Sequence, residues 1–145
     1  MINTSKFGRK GETLVLKTYL QEGYHLLARN FQYYQTGVKG RLGEIDLIFC
    51  KDQLIVMVEV KTRSSLLFGH SFTQVSRKQL ANLQRAFAYF QNCFPEYRNY
   101  SARFDVASVF QGQVTILKNA YEFWIRWPKL VSNLNLSQLN RYGSN

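Results

Sequence analysis

The chain has 145 residues and a mass of 17.0 kDa, which suits one domain with a single core. Its formal net charge of +10 predicts attraction to polyanions, with nucleic acid ahead of an anionic membrane surface. The composition, 46% hydrophobic, excludes a disordered chain. No apolar stretch approaches the roughly 18–20 residues of a membrane span, and no secretory signal opens the chain, so a cytoplasmic protein is expected.

The first half of the chain predicts one helix followed by three strands. Residues 6–22 lack proline and carry an apolar face, a pattern typical of a helix. The aromatic-rich residues 24–34 predict the first strand. The apolar runs 42–50 and 53–62 predict two further strands that pair as an antiparallel hairpin.

The second half predicts one more helix and a second pair of strands. Apolar residues at helical spacing predict a helix over residues 73–92, and residues 103–110 and 114–118 predict the strands. The order is therefore αβββαββ, one α/β domain over residues 1–127. The Asn/Ser-rich residues 128–145 are predicted to form a loosely attached tail.

Charged residues interrupt both apolar runs of the predicted hairpin. Glu44 and Asp46 lie two apart in one strand, and Glu59 and Lys61 lie two apart in the other. Because side chains alternate along a strand, each pair shares a face, and a suitable register would bring three carboxylates and one ammonium together. Such charges are costly unless they are paired or bind a cation. The pattern predicts a Mg²⁺ site for phosphodiester hydrolysis, in which Lys61 orients the attacking water or stabilises its charge.

The same residues also admit a purely structural interpretation. Hairpins with Glu and Lys on the solvent face are common, and opposite charges across strands pair for modest stability. Here the two charged faces continue with Ile48 and Cys50 on one strand and Ile55 and Met57 on the other. Charge therefore lies at one end of each strand, which favours a pocket over a solvated face. Asp105, in another apolar strand, could pair with Arg103 or contact the site, and it is interpreted as a structural residue.

Asp46 followed by Glu59-Val60-Lys61 resembles the PD-(D/E)XK signature of the restriction-endonuclease-like nucleases, with Ile45 where that signature often has proline. Across about residues 7–124 the chain also resembles the YraN-like family of predicted endonucleases. The segments that carry this second resemblance are Gly11-Glu12, Arg29-Asn30, Gly43-Glu44-Ile45-Asp46-Leu47-Ile48, Val58-Glu59-Val60-Lys61-Thr62-Arg63, Phe68-Gly69, Lys78, Arg103-Phe104-Asp105-Val106 and Asn119-Ala120.

The resemblance implies a fold, a site and a function. The fold is a Holliday-junction-resolvase-like core, a mixed sheet flanked by helices. The implied catalytic set is Asp46, Glu59 and Lys61, with Asp46, Glu59 and Glu12 as metal ligands and Glu44 at the rim of the site. The implied function is hydrolysis of phosphodiester bonds in DNA, branched or otherwise structured DNA included, with Mg²⁺ or Mn²⁺ as cofactor.

Cations around the motif are the candidate nucleic-acid contacts. They are Arg63, Lys78, Arg77, Lys39 and Arg41. Lys39, Arg41, Arg9 and Lys10, with Tyr33 and Tyr34 nearby, combine cations and aromatics as single-strand and junction binders do. Aromatic residues in a strand nevertheless serve core or surface packing more often than ligand binding.

Two other functions remain open at this point. One is a nucleic-acid-binding module that keeps the nuclease fold without catalysis, although the intact acidic-acidic-lysine set argues against it. The other is an RNA-directed nuclease, with DNA favoured over RNA as the partner. The sequence also leaves open whether the chain acts alone or as a homodimer.

Overall fold

The computed structural model of the chain describes residues 4–63 and 77–120, with side-chain surroundings described for residues 8–62 and 81–120. The predicted tail and the first four residues of the predicted second helix lie outside these ranges. Within them, neither helix is long and apolar enough to cross a membrane. The elements are α1 (Thr4–Gln21), β1 (His25–Tyr33), β2 (Gly43–Lys51), β3 (Leu54–Arg63), α2 (Arg77–Cys93), a 3₁₀ turn (Pro95–Tyr97), β4 (Ser101–Phe110) and β5 (Gln113–Leu117).

The five strands form one mixed sheet in the order β1-β2-β3-β4-β5. The hairpins β1–β2, β2–β3 and β4–β5 are antiparallel, whereas β3 and β4 are parallel. A parallel pair needs a crossover connection, and α2 lies in the connection between these two strands. The predicted order αβββαββ, the hairpin and the mixed α/β sheet expected of a restriction-endonuclease-like core are confirmed.

Both faces of the sheet are buried, which explains why its central strands are almost continuously apolar. On one face Ile48, Ile55 and Met57 pack with Phe87 and Phe90 of α2. The other face packs against α1 through a second group of buried residues, which includes Val15, Tyr19, Leu47, Phe49, Val56 and Val58. The central strands β2 and β3 thus lie between two helices, and any charge at their ends is close to a desolvated interior.

Side chains do not alternate strictly along β2 near Asp46. This corrects the expectation that Glu44 and Asp46 continue the face of Ile48 and Cys50. Ile45 and Ile48 are three residues apart, yet both belong to the group of buried residues on the α2 side. On the neighbouring β1, Asn30 has a positive φ of 50° and lies between Arg29, paired with Leu47, and Phe31, paired with Ile45. The pairing register of β1 with β2 is unshifted at this point. The period-2 pattern of β2 is nevertheless broken between Ile45 and Ile48, so the face of Glu44 and Asp46 is not fixed by that of Ile48 and Cys50.

Asp105 on β4 is completely buried and connects α1 to β4 and to the residues that follow β5. Its carboxylate accepts hydrogen bonds from Arg103 Nε and Nη2, both at 2.8 Å, and from the Tyr19 hydroxyl at 2.7 Å. The backbone N–H of Asn119 donates a further bond at 2.9 Å. Four donors saturate the carboxylate, which confirms the pairing with Arg103 and a structural role.

Removing this carboxylate should destabilise the fold strongly. Asp105→Ala leaves the Arg103 guanidinium, whose side chain is only 13% exposed, without its ionic partner. Breaking a buried pair in this way typically costs about 3–5 kcal/mol in the free energy of unfolding. The matched control is Glu22→Ala, which breaks a surface pair with Lys118 and should cost at most about 1 kcal/mol. Urea denaturation monitored by circular dichroism would measure both, and equal losses would contradict the assigned role.

Candidate active site

The site lies where the ladder between β2 and β3 stops. The antiparallel pairing runs from Lys51 opposite Leu54 to Leu47 opposite Val58 and goes no further among the residues that the structure describes. Beyond that point the side chain of Asp46 replaces a backbone acceptor, because the N–H of Val60 donates to Asp46 Oδ2 at 2.7 Å. This bond holds the Asp46 carboxylate against the Glu59-Val60-Lys61 segment.

Glu59 and Lys61 lie beside that carboxylate and on one side of β3. Lys61 Nζ is 2.6 Å from Glu59 Oε1, and the two side chains are 44% and 35% exposed respectively. Residues two apart in a strand share a face, so this contact is the geometry expected for an undistorted β3. Three members of the predicted set, Asp46, Glu59 and Lys61, are therefore neighbours.

The pKa of Asp46 is raised, chiefly because burial penalises the ionised carboxylate. The hydrogen bond from Val60 opposes this rise, the negative charges of Glu59 and Glu44 add to it, and the positive charge of Lys61 opposes it. The carboxylate therefore experiences the other predicted site residues directly. A nearby cation would favour its ionised form.

Glu12 reaches the same region from α1. Burial raises the pKa of Glu12, and the charge of Asp46 is the next cause of that rise. Its Oε2 is buried, with no hydrogen-bond donor among the residues that the structure describes. Arg29 Nη2 approaches that oxygen, but only to 3.8 Å, which is an ionic contact rather than a hydrogen bond.

Glu44 lies at the edge of the site and is committed to the loop that precedes β2. Its Oε2 accepts a hydrogen bond from Arg41 Nη1 at 3.0 Å and a long one from Gln32 Nε2 at 3.5 Å. Its charge nevertheless contributes to the raised pKa values of both Glu12 and Asp46. Glu44 therefore takes part in the electrostatics of the site from its rim.

The predicted nucleic-acid contacts fall into two groups. Lys39 and Arg41 are exposed on the loop between β1 and β2, although Arg41 is also paired with Glu44. The side chains of Arg63, Arg77 and Lys78 lie outside the described residues, and only their backbone positions are given, at the end of β3 and the start of α2. The cations Arg9 and Lys10 line an open cavity on α1.

The donor chemistry of the site fits a hard divalent cation. Within residues 8–62 and 81–120, no group of three or more His, Cys, Asp or Glu side chains is arranged as a finished metal-binding cluster. Mg²⁺ commonly takes only one or two carboxylates and completes its octahedron with water and phosphate oxygens. Asp46 and Glu59 supply such a pair, and the buried, hydrogen-bond-deficient Oε2 of Glu12 is an oxygen that a cation would satisfy.

A protein-family model described as "Uncharacterised protein family UPF0102" matches residues 11–109, from the middle of α1 to the end of β4. The match covers more than half of the chain and includes every residue of the candidate site. The chain belongs to this family. UPF0102 is the family of the YraN-like proteins, so the resemblance seen in the sequence is confirmed.

Individual UPF0102 proteins match over most of their length. One from Natranaerobius thermophilus and one from Caldicellulosiruptor bescii are each 38% identical over 109 residues, covering 75% of this chain and 86% of the relative. One from Caldicellulosiruptor saccharolyticus is 32% identical over 126 residues, covering 83% of this chain and 100% of the relative. These relatives share the family, and their names state no activity.

One contact beside the site, between α1 and the end of β3, was not predicted from the sequence. A Cβ atom added at Gly11 would overlap Thr62 Oγ1, so the threonine side chain near the end of β3 occupies the space that a larger residue in α1 would need. The adjacent residue in α1 is Glu12, and the residue before Thr62 is Lys61. A glycine inside a predicted helix was the available signal, since glycine costs about 1 kcal/mol there relative to alanine and usually has a packing reason.

Gly11→Ala should therefore destabilise the protein, although alanine is the better helix former. Overpacking of this kind typically costs about 1–3 kcal/mol. Gly8→Ala is the matched control, because nothing lies within 4 Å of a Cβ added there, and it should be neutral or stabilising. The measurement is the free energy of unfolding in urea.

A second substitution tests whether the contact itself is responsible. In Gly11→Ala/Thr62→Ala the clashing hydroxyl is gone, and the Thr62 Cβ lies 3.4 Å from the added Cβ, an ordinary contact. The double variant should recover most of the stability that Gly11→Ala loses. If Gly11→Ala behaves like Gly8→Ala, or if Thr62→Ala gives no recovery, the close approach does not constrain α1.

Proposed function

We propose that this protein is a metal-dependent nuclease that hydrolyses phosphodiester bonds in DNA. The observation that carries the proposal is the hydrogen bond from Val60 to Asp46, because it brings an aspartate, a glutamate and a lysine together where β2 and β3 part. The sheet order and the two flanking helices are those expected of a restriction-endonuclease-like core. Metal-dependent hydrolysis is the chemistry for which carboxylates beside a lysine are suited.

Asp46 and Glu59 would hold Mg²⁺, or Mn²⁺ in its place, and Glu12 would contribute a third carboxylate from α1. The bound ion would act as a Lewis acid at the scissile phosphate and lower the pKa of a bound water. The support for Glu12 in this set is its buried oxygen without a hydrogen-bond donor and the influence of the Asp46 charge on it. The N–H of Val60 orients the Asp46 carboxylate whether or not a cation is present.

Lys61 is the proposed catalytic cation of the chain. Its ammonium lies 2.6 Å from Glu59 and close enough to Asp46 for its charge to oppose the rise in the pKa of that carboxyl. In this position it can hold the attacking water and stabilise the negative charge that develops as that water loses its proton. The proton of that water passes to solvent, and its oxygen forms a new bond to phosphorus. The bond between phosphorus and the leaving oxygen breaks, and the leaving oxygen takes up a proton from solvent.

The polarity of the sheet favours approach of nucleic acid at the same end. Because β2 is antiparallel to β3, the loop that carries Lys39 and Arg41 lies at the end of the sheet where β3 finishes. Gly11, at the contact with Thr62, brings the half of α1 that carries Arg9 and Lys10 to this end as well. Cations on a protein of net charge +10 would neutralise the phosphates that flank the scissile bond.

Two substitutions separate a nuclease from a binding module. Lys61→Ala and Asp46→Asn should each lower the cleavage rate by about 10²–10⁴-fold, since they remove a charge-stabilising group and a metal ligand. Lys118→Ala and Asp52→Asn, at exposed positions outside the site, are the matched controls and should cleave like the unaltered protein. The assay supplies Mg²⁺ or Mn²⁺ with duplex, single-stranded, flap and four-way DNA, and with RNA.

The outcomes of this panel discriminate among the possible functions. Binding without metal-dependent cleavage of any substrate would identify a binding module and end the nuclease proposal. Cleavage that survives unchanged in both site variants would come from a contaminant and would also end it. Cleavage of RNA but not DNA, lost in both site variants, would retain the site and reassign the substrate.

A further inference from the structure

Four large hydrophobic side chains are exposed in the part of the chain with described side chains, and two of them lie on the loop between β1 and β2. These are Tyr34, which is 45% exposed, and Val38, which is 47% exposed. The exposed cations Lys39 and Arg41 follow them directly. An aromatic ring, an aliphatic group and two cations on one loop form what is called here the loop surface.

The ring of Tyr34 is held in place although it is exposed. Its hydroxyl donates to Gln32 Oε1 at 3.0 Å, and its ring centroid lies 6.0 Å from that of Tyr89 on α2. Gln32 in turn reaches Glu44, which also accepts the bond from Arg41. The Tyr34 ring and the Arg41 guanidinium are therefore linked through Gln32 and Glu44. A ligand that binds both would meet side chains that are already oriented.

The loop backbone is anchored where it joins the sheet. Leu42 N–H donates to Tyr33 O at 2.8 Å, which closes the loop across its base. Tyr33 is buried against Gly43, and a Cβ on that glycine would collide with the tyrosine ring. The residue after Gly43 is Glu44, and Asp46 lies two positions beyond it. The loop surface is thus continuous with the rim of the candidate active site.

We propose that the loop surface binds an unpaired nucleotide, with its base stacked on Tyr34 and its phosphates beside Lys39 and Arg41. Every base has an aromatic face, so stacking recognises an exposed base without reading its sequence. Bases inside a continuous duplex are already stacked on one another and cannot cover the ring. The inference rests on the proposed function in taking nucleic acid as the ligand, and it narrows the substrate to nucleic acid with unpaired nucleotides.

The test is a binding measurement in EDTA, where no metal-dependent cleavage occurs and the catalytic proposal is not involved. Fluorescence anisotropy would compare an oligodeoxythymidylate with a blunt duplex of equal length. Tyr34→Ala should weaken binding of the single strand by about 5- to 30-fold, the lower part of the range for loss of one stacked base, and leave duplex binding nearly unchanged. Tyr34→Phe keeps the ring and should stay within about threefold of the unaltered protein.

Leu117→Ala provides the matched control, because Leu117 is 38% exposed on β5, a strand four positions from β1 in the sheet order. It should leave binding of both probes unchanged, and the selective loss in Tyr34→Ala alone would support the proposal. An equal response with an oligouridylate would also support it, since the base and not the sugar is recognised.

Three results would overturn the proposal. The first is an equal loss for single strand and duplex in Tyr34→Ala, and the second is the absence of any loss. Either would leave the nuclease proposal standing if the metal-dependent cleavage is observed. The third is a concentration-dependent dimer, measured by sedimentation, that Tyr34→Ala abolishes while single-strand binding persists. The loop surface would then bind a second copy of this chain.

Discussion

The hydrogen bond from the Val60 N–H to Asp46 Oδ2, at 2.7 Å, is the interaction on which the account of the site depends. It forms just past the last paired residues of β2 and β3, where a backbone donor would otherwise lack its strand partner. A buried N–H left unsatisfied is costly, so the aspartate stabilises the strand end while it is held beside Glu59 and Lys61. One contact thereby serves the fold and assembles the proposed catalytic set.

The electrostatics of the candidate active site give a reason to expect a bound cation. Burial is the main cause of the raised pKa values of both Asp46 and Glu12, and the negative charges of neighbouring carboxylates add to it: Asp46 and Glu44 for Glu12, Glu59 and Glu44 for Asp46. For a carboxyl whose pKa is higher in the folded than in the unfolded state, stability falls as pH rises through the interval between the two values. At neutral pH these groups therefore oppose folding when ionised without a counter-charge. A bound divalent cation would remove that penalty, because it favours the ionised forms.

Much of the fold could be predicted because its signals are local. The apolar runs that became β2 and β3, the helical spacing in α2 and the order αβββαββ followed from periodicity, and the neighbourhood of Glu59 and Lys61 followed from strand alternation. The face on which Ile45 packs did not follow from alternation, since Ile45 joins the buried residues on the α2 side together with Ile48. The approach of Gly11 to Thr62 and the ionic contact of Arg29 with Glu12 also join segments distant in sequence. Such contacts arise from packing, which no periodicity encodes.

Anomalous diffraction from crystals grown with Mn²⁺ would show whether Asp46 and Glu59 form the proposed divalent-cation site. An anomalous peak is expected within coordination distance of both carboxylates, with Glu12 contacting the ion directly or through a water. The same crystals of Asp46→Asn should show that peak lost or strongly reduced. A fully ordered Asp46 and Glu59 without a peak between them, at a Mn²⁺ concentration that fills other sites, would contradict the proposed site.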